Sequence, residues 1–240
     1  MHKQKYKKTD FISDKAFTEE QCDTVLQLVS SDNLDGKQDT VLSGRGTICY
    51  AEISGLGPVV IKEYRRGGFL GKVNPNLYLK TAESRPEQEF RMLKIAAQAG
   101  VSTPKPLAAI VQGSRATGNL FYRGWLMMQH LDHQDNLASL SVNDADRAYE
   151  MLPTVAKELG TMIDSSIFHQ DLHPGNILVS EDGSVSVIDF DKAYEYKGTI
   201  DKLKRAYLLR WRRAVIKHQL PEFLSEFVSA ILRSNGGRQQ

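Results

Sequence analysis

Two hydrophobic periods divide the chain. Across residues 40–64, short runs rich in Val, Ile and Thr are separated by glycine turns, which predicts strands at 40–43, 47–53 and 58–64. Ser84-Arg85-Pro86-Glu87 reads as a capping box with proline in the first turn, opening a helix to about Ala99. Phe90, Leu93 and Ala97 share one face of that helix, and Gly100 stops it. An extended connector held by Pro104 and Pro106 leads into strands at 107–112 and 120–130, joined by a polar hairpin at 113–119. Five strands and one helix are enough for a small lobe.

Beyond residue 130 the period is mostly that of helices. Residues 143–151 carry a cap and an acidic first turn, and Leu152, Val155, Ala156, Leu159 and Ile163 continue an apolar stripe. Pro153 either kinks one helix or starts a second. Two short apolar strands, 177–180 and 185–188, flank the turn Glu181-Asp182-Gly183-Ser184. A basic helix at 201–220 precedes a last helix at 221–233, whose stripe is Phe223, Leu224, Phe227, Val228, Ile231 and Leu232. Residues 1–39 are polar. They contain a helix at 18–30 with Thr18 as cap and Cys22, Val25, Leu26 and Val29 as stripe, while Lys3, Lys5, Lys7 and Lys8 read as a solvated tail.

Composition removes several classes. No window approaches ~18 uninterrupted apolar residues, so no membrane-spanning helix is expected. Residues 1–14 lack the apolar core of a secretory signal. Cys22 and Cys49 have no metal-ligand spacing and fit a reducing cytosol. The net charge of +2 hides an uneven distribution. Residues 67–80 are loop-like, and Arg65, Arg66, Lys72 and Lys80 lie in a stretch, residues 64–81, without acids. Lys202, Lys204, Arg205, Arg210, Arg212, Arg213 and Lys217 lie in another. A solvated surface helix is the plain alternative for the second stretch. Nucleic acid is not expected, because stacking aromatics are limited to Tyr207 and Trp211 and no nucleic-acid motif accompanies them.

The chemistry concentrates at Phe168-His169-Gln170-Asp171-Leu172-His173-Pro174-Gly175-Asn176-Ile177-Leu178-Val179 and at Val187-Ile188-Asp189-Phe190-Asp191. Phosphoryl transfer needs a carboxylate for the attacking hydroxyl, oxygen ligands for Mg²⁺ and cations around the phosphates. Asp171 and Asn176 have the Asp-x-x-x-x-Asn spacing that offers a base and a metal ligand. Asp189 ends a short apolar strand, where a carboxylate can hold a metal. Asp and Asn also favour loops for local reasons, but here two apolar strands frame them. Gly44-Arg45-Gly46 lets backbone N–H groups approach a phosphate, although a hairpin turn would also use these glycines. Lys62 closes an apolar strand and can reach the phosphates. Glu83, Glu87 and Glu89 compete to pair with it. Glu87 is used by the cap and Glu83 precedes the helix, which leaves Glu89.

The ordered set Gly44-x-Gly46, Lys62, Glu89, His169-x-Asp171-x-x-x-x-Asn176 and Asp189-Phe190-Asp191 resembles the protein-kinase-like superfamily, in its small-molecule branch. More narrowly, Val60-Ile61-Lys62-Glu63-Tyr64-Arg65-Arg66-Gly67-Gly68, Phe121-Tyr122-Arg123 and Ile188-Asp189-Phe190-Asp191-Lys192 resemble the lipopolysaccharide kinase family, which includes bacterial 3-deoxy-D-manno-octulosonic acid (Kdo) kinases. The resemblance runs from about Leu42 to Tyr207. It implies an α+β, two-lobed protein-kinase-like fold. Residues 1–39 would be an extension, 40–130 a nucleotide-binding lobe with a five-stranded antiparallel sheet and one helix, and 131–240 a mainly helical catalytic lobe. Residues 128–135 would be the hinge, whose backbone binds an adenine edge. The resemblance also implies ATP, Mg²⁺ and phosphorylation of a Kdo sugar on a lipid A–core glycolipid, at the cytoplasmic face of the inner membrane. Asp171 would be the base, Asn176 and Asp189 the metal ligands, Lys62 the phosphate-binding lysine and Glu89 its partner. No feature requires an obligate protein partner.

Two positions depart from protein kinases. Gln170 replaces an arginine that receives an activation-loop phosphate, and Asp191 replaces the glycine after Asp-Phe; no Ala-Pro-Glu segment follows. Both argue against a protein substrate. A kinase of another small hydroxylated molecule is the alternative. A pseudokinase scaffold is disfavoured by the intact set of Lys62, Asp171, Asn176 and Asp189.

Overall fold

The computed structural model describes residues 1–30, 48–65, 77–79, 82–113, 120–133 and 135–234, with side chains to residue 230. The described residues form two compact units. One gathers the chain up to Leu131 except Ile95–Pro104; the other gathers Ile95–Pro104 and everything from Asp132.

The first unit is built on an antiparallel sheet. In chain order its elements are β1 (His2–Tyr6), β2 (Thr9–Ser13), α1 (Glu19–Ser30), β3 (Ile48–Ile53), β4 (Gly57–Glu63), β5 (Tyr78–Leu79), α2 (Arg85–Gln98), β6 (Pro106–Gly113) and β7 (Phe121–Gln129). The unit boundary falls within α2, after Lys94. The strand order is β1-β2-β6-β7-β4-β3, with β5 also paired to β7. Among the described residues the sheet therefore has seven strands where the sequence reading counts five; the expected strand at 40–43 lies outside them. Three strands, β1, β2 and β5, come from segments read as tail and loop. Thr9–Ser13 pairs with β6, for example Phe11 opposite Ile110, and Tyr78 pairs with Tyr122. The lysine-rich tail is thus a hairpin whose outer strand exposes its lysines, while Phe11 and Ile12 are buried.

Helix α1 starts where Thr18 caps it, accepting a hydrogen bond from Gln21 N at 3.2 Å. Its Cys22, Val25 and Val29 close over Phe11, Val59, Ile61, Ile110, Trp125 and Met127. Each such large apolar side chain, fully buried, contributes roughly 1.5–3 kcal/mol, so α1 belongs to the core of this unit. Both cysteines are free thiols.

The second unit holds β8 (Asp135–Asn136), α3 (Leu137–Asn143), α4 (Ala145–Asp164), β9 (Ile167–His169), β10 (Ile177–Val179), β11 (Val185–Val187), β12 (Ala193–Glu195), α5 (Ile200–Lys217) and α6 (Phe223–Ser234). Helix α4 is continuous through Pro153, which settles the alternative left open by the sequence. Pro153 sits on the exposed face, where water can satisfy the carbonyl that the ring leaves unbonded. Its cap is Asp144, which accepts from Arg147 N at 3.1 Å; Asn143 instead ends α3. Leu152, Val155, Ala156, Leu159 and Ile163 are buried as expected. In α2 the buried face is Phe90, Met92, Leu93 and Ala96, while Ala97 is exposed, one position off the expected stripe. No helix of the described residues is long and apolar enough to cross a membrane.

Candidate active site

Strand alternation separates the functions of β4. Val59 and Ile61 face the α1 core, so Lys62 points to the opposite side. There its ammonium donates to both carboxylate oxygens of Glu89 on α2, each at 3.1 Å. Tyr64, two residues further on and therefore on the same face, also donates its hydroxyl to Glu89. A carboxylate that is 1% exposed requires such compensation, because a buried unpaired charge is costly. The competing glutamates are engaged elsewhere. Glu83 pairs with Arg91 Nε at 3.0 Å, and Glu87 accepts from Ser84 N at 2.8 Å in the capping box. That box fixes the start of α2, which abuts β7: a Cβ on Gly124 would lie 2.9 Å from Pro86 Cγ. Gly44 and Gly46, like Arg66, Lys72 and Lys80, lie outside the described residues.

The adjacent Glu63 points to the other face and is equally buried. It holds Arg123 Nη2 at 2.7 Å and Arg65 Nε at 3.0 Å. Arg65 is thus tied to an internal acid. The expectation of an acid-free basic stretch starting at residue 64 misses this partner, one residue upstream.

In the second unit the Asp171 loop is fastened from below. Tyr207 of α5 donates to Ile167 O at 2.9 Å and accepts from His169 N at 2.8 Å. Burial raises the Tyr207 phenol well above its usual range, so it remains a neutral donor. His169 is fully buried, and burial lowers its pKa, outweighing the nearby charges of Asp189 and Asp171. Because a carbonyl can only accept, the neutral ring donates from Nε2 to Ile188 O at 2.9 Å. Asn176 Nδ2 donates to Asp171 O at 3.0 Å, and Ile188 N donates to Asn176 O at 3.0 Å. These bonds fasten the backbones of Asp171, Asn176 and Ile188-Asp189 into one frame.

Within that frame Asp171 is 37% exposed while Asn176 is buried. Asp171 Oδ2 meets Lys192 Nζ at 2.6 Å, and Oδ1 lies 3.7 Å from Arg210 Nη1. Asp189 has left-handed backbone angles, φ 66° and ψ 59°, at the turn between β11 and the short 3₁₀ turn Phe190–Lys192. Such a conformation in a residue other than glycine costs of order 1–3 kcal/mol and gathers at functional sites. The donors suit a hard divalent ion. Asn176 spends its amide nitrogen on Asp171, which orients its oxygen as the remaining ligand, and Asp189 supplies a carboxylate. Among the described residues no group of three or more His, Cys, Asp or Glu gathers, so this amide-plus-carboxylate pair is the candidate set.

Sequence reasoning overlooked Lys192 and Arg210 as neighbours of Asp171. The signal was present for both. Lys192 directly follows Asp189-Phe190-Asp191, and Arg210 is the charge of the basic helix that falls on its Leu203–Tyr207–Trp211 face. Tyr64 and Tyr207, which anchor the two acids' surroundings, left no sequence signal.

The chain matches the model of the lipopolysaccharide kinase (Kdo/WaaP) family over residues 37–225. It is 31% identical over 185 residues to a 3-deoxy-D-manno-octulosonic acid kinase of Vibrio cholerae, covering 76% of this chain and 75% of that protein. A 3-deoxy-D-manno-octulosonic acid kinase of Photobacterium profundum is 33% identical over 187 residues, with 77% and 75% covered. Among solved structures, a WaaP in complex with acyl carrier protein superposes with a TM-score of 0.53 over 79% of this chain and 75% of that one, at 16% identity, which shows the shared α+β kinase-like fold. The matched span contains Lys62, Glu89, Asp171, Asn176 and Asp189, and with it the chain belongs to the lipopolysaccharide kinase (Kdo/WaaP) family, a phosphotransferase with an alcohol group as acceptor.

Proposed function

We propose that the protein transfers the γ-phosphoryl group of ATP to a hydroxyl of a Kdo sugar on a lipid A–core precursor. The observation that carries this reading is Asp171: an accessible carboxylate on a hydrogen-bonded loop held by the buried His169, Leu172 and Asn176, within the span matched to the family. Asp171 accepts the proton of the acceptor hydroxyl, whose oxygen forms the new bond to the γ-phosphorus. The bond from that phosphorus to the bridging oxygen breaks, and ADP leaves. Lys192 releases Asp171 at small cost, since an exposed ion pair is worth about 0–1 kcal/mol. Asn176 and Asp189 would hold Mg²⁺, which when bound would neutralise phosphate charge. Lys62, oriented by Glu89, binds the phosphates.

The same reading places the protein on the cytoplasmic face of the inner membrane, attached peripherally. Its support is α5, where Lys202, Arg205, Arg212, Arg213 and Lys217 are exposed together with Leu209 and Ile216. A few cations near an anionic surface suffice for reversible attachment. Purified protein should consume ATP with Kdo-bearing lipid A and leave choline, neutral sugars and casein unmodified. Equal rates on a neutral sugar would remove the acid-sugar assignment.

A further inference from the structure

Arg210 is the exception on α5. The helix buries Leu203, Tyr207, Trp211 and Val215, and turns Lys202, Arg205, Arg212, Arg213 and Lys217 outward. Arg210 lies between Tyr207 and Trp211 along the helix and so points inward. Its guanidinium lies 5.9 Å over the Phe168 ring, and its Nε is buried with no hydrogen-bond partner. The 3.7 Å approach of Nη1 to Asp171 Oδ1 is an ion pair too long for a hydrogen bond. Asp171 does not need it for neutralisation, because Lys192 already meets the other oxygen at 2.6 Å. Arg210 is thus a second cation at a carboxylate that Lys192 already pairs, beside the group that would face the acceptor hydroxyl.

A guanidinium that is half-buried, with its Nε buried and unbonded and its plane set over an aromatic ring, is prepared for a second anion. Its planar donors match a carboxylate in bidentate fashion, which an ammonium cannot do. An octulosonic acid carries a carboxylate and hydroxyls on one sugar, so a single residue of it can present both to adjacent groups. We infer that Arg210 is a specificity-determining residue that bonds the carboxylate of the acceptor sugar while Asp171 takes the proton from a hydroxyl of the same sugar. This rests on the acid-sugar reading above and names the residue that enforces it.

The test compares lipid A bearing the acid sugar with the same lipid carrying its methyl ester. Both are assayed with ATP and Mg²⁺ for wild type, Arg210→Gln and Arg210→Lys. The ratio of kcat/KM for acid over ester does not depend on the fraction of enzyme that is folded. Wild type should prefer the acid by about tenfold to a hundredfold, the range for a hydrogen bond to a charged group, with the difference in the acceptor KM. Arg210→Gln should bring the ratio close to one. Arg210→Lys should fall between, because charge is kept and the fork is lost, and KM for ATP should not move in either variant. A wild-type ratio in Arg210→Gln overturns the assignment. So does an intact ratio with a raised KM for ATP, which would make Arg210 a ligand of the transferred phosphate. If wild type phosphorylates neither lipid, the acid-sugar reading fails and the assignment falls with it.

Discussion

In the first unit Glu89 is 1% exposed and receives both Lys62 and the Tyr64 hydroxyl. In the second, Asp171 is 37% exposed and shares Lys192 and Arg210, side chains that are themselves 54% and 36% exposed. Glu89 meets one cation and a phenol, and Asp171 two cations, yet burial separates the two clusters more than their partners do. A carboxylate withdrawn from water is held by every donor around it, and removing one leaves the others uncompensated. Under the proposed mechanism Glu89 is therefore a fixture that orients Lys62. An exposed ion pair contributes little and can be exchanged for another partner, which a group that handles a proton requires. Burial, more than residue type, distinguishes the acid proposed to position Lys62 from the one proposed to take the proton.

The strongest break of this contrast is at Asp171. Asp171→Asn should lower turnover by roughly a hundredfold or more, the scale of lost general-base help, while nucleotide affinity measured calorimetrically stays nearly unchanged. Wild-type turnover in that variant would remove Asp171 as base. At Glu89 the expected loss is smaller, about tenfold, because Lys62 remains present but loses its orientation. Glu87→Gln is the control: it weakens a capping box and should cost on the order of 1 kcal/mol or less of stability, with turnover intact. A catalytic loss at Glu87 exceeding that at Glu89 would reverse the pairing's significance.

These same residues show what a sequence can reveal. The strand that Lys62 closes was legible because Val59-Val60-Ile61 is an apolar, β-branched run, and the contact with Glu89 because the capping box accounts for Glu87. The Asp171 loop was legible because motif and flanking strands are contiguous in sequence. The N-terminal hairpin was not. Its outer strand bears lysines, as sheet edges often do, and its inner strand buries Thr9 and Ser13, which carry no hydrophobic signal. Its turn places Lys7 at φ 52°, where the usual Asn-Gly signature is missing. Helix α3 has seven residues, too few to display a period. The neighbours of Asp171 were hidden for another reason: Lys192 and Arg210 reach it only through tertiary folding.

The two basic stretches sharpen the contrast further, since sequence treats them alike and structure does not. Arg65 is held by the buried Glu63, whereas Arg212 and Arg213 are exposed and have no ion pair among the described residues. Neutralising Arg212 or Arg213 to Gln should weaken binding to anionic liposomes by about 1 kcal/mol each, roughly fivefold, and the remaining binding should fade as salt rises. Arg65→Gln should leave sedimentation with liposomes unchanged and lower thermal stability instead, because Glu63 loses a partner. Equal loss of liposome binding in Arg65→Gln and Arg212→Gln would show that the internal pairing is irrelevant to membrane attachment.

The smallest effect concerns the group beneath Asp171. His169 is buried and neutral, with its pKa below the ordinary 6.5, while the unfolded chain restores the ordinary value. As pH falls through about 6.5 the unfolded state binds a proton that the folded state refuses, so stability must fall with pH from this residue. Between pH 7.5 and pH 6.0 one histidine with a lowered pKa can cost at most about 0.8 kcal/mol, so the increment lies between zero and that limit. Denaturant unfolding at the two pH values should show this increment in wild type and lack it in His169→Gln, whose amide can still donate to the Ile188 carbonyl. Proton NMR gives an independent reading, because the His169 ring resonance should have its midpoint below the ordinary 6.5. A midpoint near 6.5 would mean that the imidazole ionises within the fold. The bond from Nε2 to Ile188 would then not fix its tautomer, and the frame joining Asp171 to Asp189 would loosen in mild acid.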